Sequence, residues 1–161
     1  MDTTTETPWL TESQQHVWRS YLGATTLLMD RLDRDLRTAH DLSMPEYEIL
    51  VRLSESPDRS IRMATLAAQV SHSRSRVTHT ISRLERKGIV QRTQAVGDGR
   101  GVSAVLTDHG FSVLEQAAHT HVRGVHAHLV EHASPEEFAV LGRVMQRVVD
   151  QLDDAGSCPA P

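Results

Sequence analysis

Between positions 71 and 88 the chain reads SHSRSRVTHTISRLERKG. Five basic side chains, Arg74, Arg76, Arg83, Arg86 and Lys87, stand against one acid, Glu85, with small hydroxyl residues between them. Guanidinium groups pair bidentately with guanine or with phosphate, and short hydroxyl side chains bond to base edges while letting a helix approach a groove floor. The chemistry on offer is recognition of a polyanion. The rest of the chain sharpens the contrast, because the formal net charge of the whole is -4. Residues 72–100 hold seven basic residues (those five with Arg92 and Arg100) and two acids (Glu85 and Asp98), a net of +5, which leaves -9 elsewhere. A basic segment on an acidic body suits a nucleic-acid-binding face, although an ordinary solvated helix face carries similar charges.

Other residues point to other chemistry. His128-Leu-Val-Glu-His132 fits the H-x-x-E-H zinc pattern, whose remote implication is a small metal-dependent hydrolase. On the long helix that periodicity predicts over 107–133, His121, His128 and His132 share a face with Leu114, Val125 and Leu129. Packed histidines that respond to pH are one reading of that stripe. A regulatory zinc site completed by His16 or by a second copy is the other, which makes a metal-responsive regulator the alternative function. No cofactor is expected. The stretch GDGRG lacks the third glycine of a dinucleotide fingerprint, since Val102 stands there, and a strand-like run follows where that motif needs a helix. No Ser/His/Asp set has supporting context, so no enzyme is expected. Aromatic residues are few and concentrate early in the chain. Trp18, Tyr21, Thr25, Met44 and Tyr47 are candidates for a small-molecule pocket, with plain core packing as the competing reading.

These residues need elements to hold them. A chain of 161 residues, 39% hydrophobic and 24% charged, suits one globular domain. The N-terminus shows no secretory pattern, no segment has the apolar length of a membrane span, and the single cysteine, Cys158, lies in the tail. A cytoplasmic protein without disulfides or membrane contact is expected. Apolar residues at spacings of three and four predict a long helix over 9–40. Ser43 and Pro45 open a second helix over 45–54, and SPDRS reads as a loop. A third helix covers 62–69 and a fourth 74–87, closed by Gly88. IVQRT and VSAVLT read as strands around a turn. A long helix over 107–133 follows, and Ser134-Pro135-Glu136-Glu137 caps a last one. The fold class is therefore mainly α with a small β-hairpin (α+β). Its order describes a winged helix-turn-helix flanked by long helices too apolar for so small a core. Those helices are expected to pack against a second copy.

In this frame the fourth helix buries Val77, Ile81 and Leu84 and turns hydroxyl, imidazole and guanidinium groups outward. Ser73, Arg74, Ser75, Arg76, Thr78, His79, Ser82, Arg83 and Arg86 are the expected DNA contacts, with the base readers in its N-terminal part. The run RMATLAAQVSHSRSRVTHTISRLERKGIVQRT, followed by GDGRGVSAVLTDHG, resembles the MarR family of bacterial transcriptional regulators over about residues 44–110. Its most specific pieces are Asp98-Gly99-Arg100 and the later Leu106, Thr107 and Gly110. The resemblance implies a homodimer, commonly a repressor, on a pseudo-palindromic double-stranded DNA operator. It implies that Arg100 enters the minor groove, where a narrow groove attracts guanidinium, and that Asp98 orients the wing. It also implies a small aromatic or phenolic effector between the dimerisation helices and the DNA-binding lobe. The glycines at 97, 99 and 101 depart from the plainest family members and imply a looser wing. The expected division is a disordered tail over 1–8, a single domain over 9–154 and a disordered tail over 155–161. Within the domain, 9–43 and 107–154 are the dimerisation helices and 44–106 is the winged lobe.

Overall fold

The structure, a computed structural model, describes residues 7–70, 74–94 and 101–156. It is mostly helical with one small antiparallel sheet. In chain order the elements are α1 (Glu12–His40), α2 (Met44–Glu55), β1 (Ser60–Arg62), α3 (Met63–Gln69), α4 (Arg74–Arg86), β2 (Val90–Gln94), β3 (Val102–Leu106), α5 (Asp108–His128) and α6 (Pro135–Gly156).

The caps explain the boundaries. Thr11 and Gln14 form a capping box that starts α1, and Ser43 with Glu46 forms another at α2, where Pro45 costs no hydrogen bond. Along α1, Asp30–Arg34, Asp33–Arg37 and Arg31–Asp35 pair one turn apart. Helix α4 ends in a Schellman motif: Ile89 N–H donates to Leu84 O and Gly88 N–H to Glu85 O, with Gly88 at φ +69°. The apolar residues flanking that turn, Leu84 and Ile89, are both buried.

The sheet has strand order β1-β3-β2. Val90 pairs with Leu106 and Gln94 with Val102, so the hairpin lies where the sequence predicts it. Strand β1 is a finding, because the sequence reads Ser60 as the end of a loop and Arg62 as the start of the third helix. It has three residues, too few to show alternation, and pairing of Ile61 with Ala104 defines it. The turn before it is unusual: Asp58 and Arg59 both take left-handed φ near +50°. Arg59 is held there by Phe111, whose ring its guanidinium covers at 4.0 Å, and by Asp108 Oδ1 at 3.2 Å. The core of this lobe is aliphatic, with Leu36, Leu42, Ile49, Leu50, Leu53, Leu66, Val77, Ile81 and Leu84 all nearly inaccessible.

The expected long helix over 107–133 is interrupted. Helix α5 stops at His128, Leu129 leaves helical geometry at φ -133°, and Val130–His132 form a single 3-10 turn. A new helix start follows at once. The residue before a proline is pushed out of helical space, and Ser134 must be extended to cap α6. Its hydroxyl accepts from Glu137 N–H while Glu137 accepts from Ser134 N–H, which holds the Glu137 carboxyl below its usual range. The chain forms two compact units, Met1–His121 and Val122–Pro161, with α5 running from one into the other. No helix among the described residues is long and apolar enough to cross a membrane.

Candidate nucleic-acid interface

Helix α4 is two-faced, as its pattern requires. Val77, Ile81 and Leu84 are at most 1% exposed, while Ser75, Arg76, Thr78, His79 and Arg86 face solvent. Ser82 and Arg83 lie at the edges of that polar face and are half-buried. Ser73, Asp98 and Arg100 lie outside the described residues, as does the side chain of Arg74.

One edge of α4 is held from the sheet. Arg92 on β2 donates through Nη1 to Glu85 Oε2 at 2.9 Å, and through Nη2 to Thr78 O at 3.0 Å and Ser82 Oγ at 2.8 Å. Its backbone N–H reaches Glu85 Oε1 as well. Residues 78, 82 and 85 fall on one stripe of the helix, so a single guanidinium spans two turns. The Ser82 hydroxyl also donates to Thr78 O, and both of its hydrogen-bonding roles are used inside the protein.

The other edge is held from the corner between α1 and α2. Arg83 pairs with Glu46 and Lys87 with Asp41. Lys87 holds the exposed Asp41 carboxyl below its usual range, and Lys87 Nζ also donates to Asp41 O. The corner is tied to α1 in turn. Asp33 Oδ1 accepts from Met44 N–H at 2.7 Å, and Oδ2 accepts from Arg37 Nε at 2.6 Å. Partial burial pushes the Asp33 carboxyl up, but the Arg37 and Met44 hydrogen bonds outweigh it and leave it below the ordinary value.

The five pocket candidates fall in two places, Trp18, Tyr21 and Thr25 on α1 and Met44 and Tyr47 on α2. Trp18 and Tyr21 stack on each other at 5.8 Å on an exposed side of α1, where Thr25 is partly covered. Tyr47 sits in the lobe core, with Met44 packed against that core, and its ring meets that of His121 at a 34° tilt with centroids 4.7 Å apart. Burial raises the Tyr47 phenol and lowers the His121 imidazole, an effect on His121 that the charge of Glu48 opposes. His121 Nδ1 is buried without a hydrogen-bond partner, and nearby on the same helix Thr120 Oγ1 bonds His40 Nε2 at 2.8 Å. A cleft of about 470 Å³ opens elsewhere, lined by residues such as Arg52, Ile61, Arg62 and Gln69 and by none of the five candidates.

The histidine stripe does not survive as drawn. The break at Leu129 takes His132 off the α5 helix, so the one-face spacing of His128 and His132 no longer applies. Among the described residues no group of three His, Cys, Asp or Glu side chains is placed to hold a metal ion.

The MarR family model matches residues 42–102, the span from the α1–α2 corner to the start of β3. A MarR family transcriptional regulator from Streptomyces coelicolor, Sco3205, solved in complex with DNA, is 42% identical. The alignment covers 89% of this chain and 94% of that one, with a TM-score of 0.84. AbsC, also from Streptomyces coelicolor, is 37% identical over 92% of this chain and 99% of its own, with a TM-score of 0.85. The HTH-type transcriptional regulator PecS of Dickeya dadantii is 29% identical over 80% of each chain. The chain belongs to the MarR family. It is a winged-helix, DNA-binding transcriptional regulator, and its relatives are regulators rather than enzymes.

Within this MarR-family lobe, sequence reasoning finds the polar face of α4 from periodicity alone and misses the residues that brace it. Arg92 enters the sequence reading only as a charge. Glu46 is a visible capping residue, but its reach across 37 positions to Arg83 leaves no local signal. The Leu-Thr-x-x-Gly piece has a structural meaning. Thr107 Oγ1 donates to Gly88 O and Ile89 O and accepts from Gly110 N–H, which closes the hairpin onto α5.

Proposed function

We propose that this MarR-family regulator binds a pseudo-palindromic operator as a homodimer, represses by occupying it, and releases it when a small aromatic or phenolic effector binds. The observation that carries this is α4: a solvent-facing row of hydroxyl, imidazole and guanidinium groups on a helix fixed at both edges. Base reading falls to Ser73, Arg74, Ser75, Arg76, Thr78 and His79, and Arg86 at the far end suits phosphate. Arg100 enters the minor groove from a wing that Asp98 orients. A DNA complex of the 42% identical Streptomyces regulator supports this use of the fold.

The homodimer rests on apolar surface that one chain leaves in water. On α6, Phe138, Leu141, Val148 and Leu152 are 37–67% exposed at helical spacing, and on α1 Val17, Trp18 and Leu22 are 44–63% exposed. Rows of this kind on a monomer mark a protein interface. The effector is assigned to the region of Trp18, Tyr21, Thr25, Met44 and Tyr47, and the regulator works in the cytoplasm, where its DNA lies.

Selection of bound duplexes from a random pool, followed by sedimentation of the complex, tests the reading. The expected outcome is two half-sites about one helical turn apart bound by two chains, with affinity falling steeply as salt rises. A monomer at micromolar concentration without duplex preference would remove it.

A further inference from the structure

We infer that Arg83 is a positioning residue for DNA binding: its pair with the buried Glu46 fixes how α4 leans on the α1–α2 corner, and the guanidinium makes no contact with phosphate. The inference rests on the reading above, in which α4 is the element that enters the groove.

Glu46 is the acid of the α2 capping box, and its side chain is 2% exposed. Its Oε2 accepts from Ser43 N–H and Ser43 Oγ, each at 2.8 Å, and from Arg83 Nη2 at 3.3 Å. Its Oε1 is buried and receives no hydrogen bond of good geometry, so the Arg83 Nε at 3.1 Å meets its charge as an ion contact. An arginine that swung out to a phosphate would leave the buried carboxylate with two neutral donors from Ser43 and only the more distant charge of Arg37. A charge in that position is costly to leave uncompensated, which holds the guanidinium in place.

The pair also sits where leverage is greatest. Arg83 and Lys87 lie one turn apart on the same edge of α4, and both are held by residues of the corner, Glu46 and Asp41. The corner is fastened to α1 through Asp33 and Met44 N–H. A continuous run of polar contacts thus leads from the long outer helix to the reading helix. Residue 83 therefore sets the tilt at which Ser75, Arg76 and His79 meet the bases. The exposed Arg86, three positions on, is the phosphate contact by contrast.

The experiment is a salt series of duplex titrations with the full-length chain, using a duplex recovered from the random pool and a scrambled duplex of equal length. The variants are Arg83→Gln, Glu46→Gln, the two combined, and Arg86→Ala. Each single change at the pair is expected to weaken the selected duplex about tenfold, with the double no worse than either, because coupled residues are not additive. Binding to the scrambled duplex and the salt slope stay as in the parent, whereas Arg86→Ala, which removes one phosphate contact from each of two protomers, flattens the slope by about 1.8. If Arg83→Gln alone flattens the slope by that amount while Glu46→Gln binds as the parent does, Arg83 touches phosphate and the inference fails. It also fails if folded variants at both positions bind both duplexes normally. Should loss of Arg83 alone unfold the lobe, the double variant, which leaves no buried charge, carries the same comparison. Failure of the underlying reading has a different sign: Ser75→Ala and Arg76→Ala would then leave base preference unchanged whatever happens at residue 83.

Discussion

His121 and Arg92 show how much a single side chain's effect depends on what surrounds it. Burial disfavours the charged form of the His121 imidazole in the fold. Its folded value lies below the ordinary 6.5, so the unfolded chain binds the extra proton first as pH falls. Stability is therefore expected to drop as pH falls through about 6.5, until the folded value is passed and the loss levels off. Thermal melts at pH 7.5 and 5.5 check this, and His121→Phe, which keeps a ring against Tyr47, should shrink the difference. An unchanged difference in that variant would assign the pH effect to other groups. Arg92 acts through three acceptors on α4. Its ion pair with Glu85 is partly open to solvent, at 29% and 38% exposure, so it counts for little by itself. Arg92→Gln is expected to lower stability by about 1 kcal/mol, mostly through its hydrogen bonds to Thr78 O and Ser82. Equilibrium urea unfolding measures it, and a loss near zero would mean that water replaces those bonds without cost.

At the scale of elements, two glycines serve the same junction for different reasons. Gly88 ends α4 at φ +69° with open space around its missing Cβ. Gly88→Ala should cost about 1 kcal/mol, the ordinary penalty for a side chain in left-handed backbone. Gly110 has helical backbone, but a Cβ there would lie 2.1 Å from Ile89 O and 2.8 Å from Leu106 Cδ1. Because the nearest atom is backbone, Gly110→Ala must push α5 off the hairpin, at a cost of about 3 kcal/mol, the upper range for overpacking. Chemical denaturation of the pair should therefore rank Gly110→Ala well below Gly88→Ala. The reverse order would show that α5 yields more readily than the close approach suggests. The elements also show what is legible locally. Caps at Ser43 and Ser134, the Gly88 terminator and the period of α4 all appear in the sequence, since each depends on residues within one or two turns. Strand β1 does not, because it depends on pairing with residue 104, and neither does the break after His128, which falls at Leu129, ahead of the Ser134 cap that the sequence does show.

For the whole molecule, the exposed rows on α1 and α6 make assembly the main expectation. Leu141→Asp combined with Val148→Asp places two charges where α6 is otherwise apolar. Sedimentation equilibrium should then report a monomer, and operator affinity should fall by more than tenfold, since each half-site would be bound independently. A double variant that remains a dimer would move the interface elsewhere. The wing supplies a second test at this scale. Arg100→Ala is expected to leave the dimer and its melting temperature unchanged while weakening operator binding, more strongly where A·T-rich flanks narrow the minor groove. Equal and small losses on A·T-rich and G·C-rich flanks would reduce the wing to a structural hairpin.

The sequence by itself determined the class of fold, the order of the helices and hairpin, and the polar face of α4. These follow from periodicity, caps and charge, which act between near neighbours. The MarR resemblance was legible for the same reason, being carried by a run of the lobe over about residues 44–110, of which the family model matches the part up to residue 102. The candidate site was legible as a set of side chains but not as a set of roles. Ser82, Arg83 and Arg86 look alike as residues spaced along one helix. The tertiary structure alone separates them, turning Ser82 to Arg92, Arg83 to Glu46 and Arg86 to solvent. Which cation is held by the protein and which faces solvent depends on where a buried carboxylate lies, and that carboxylate reaches α4 from 37 positions away.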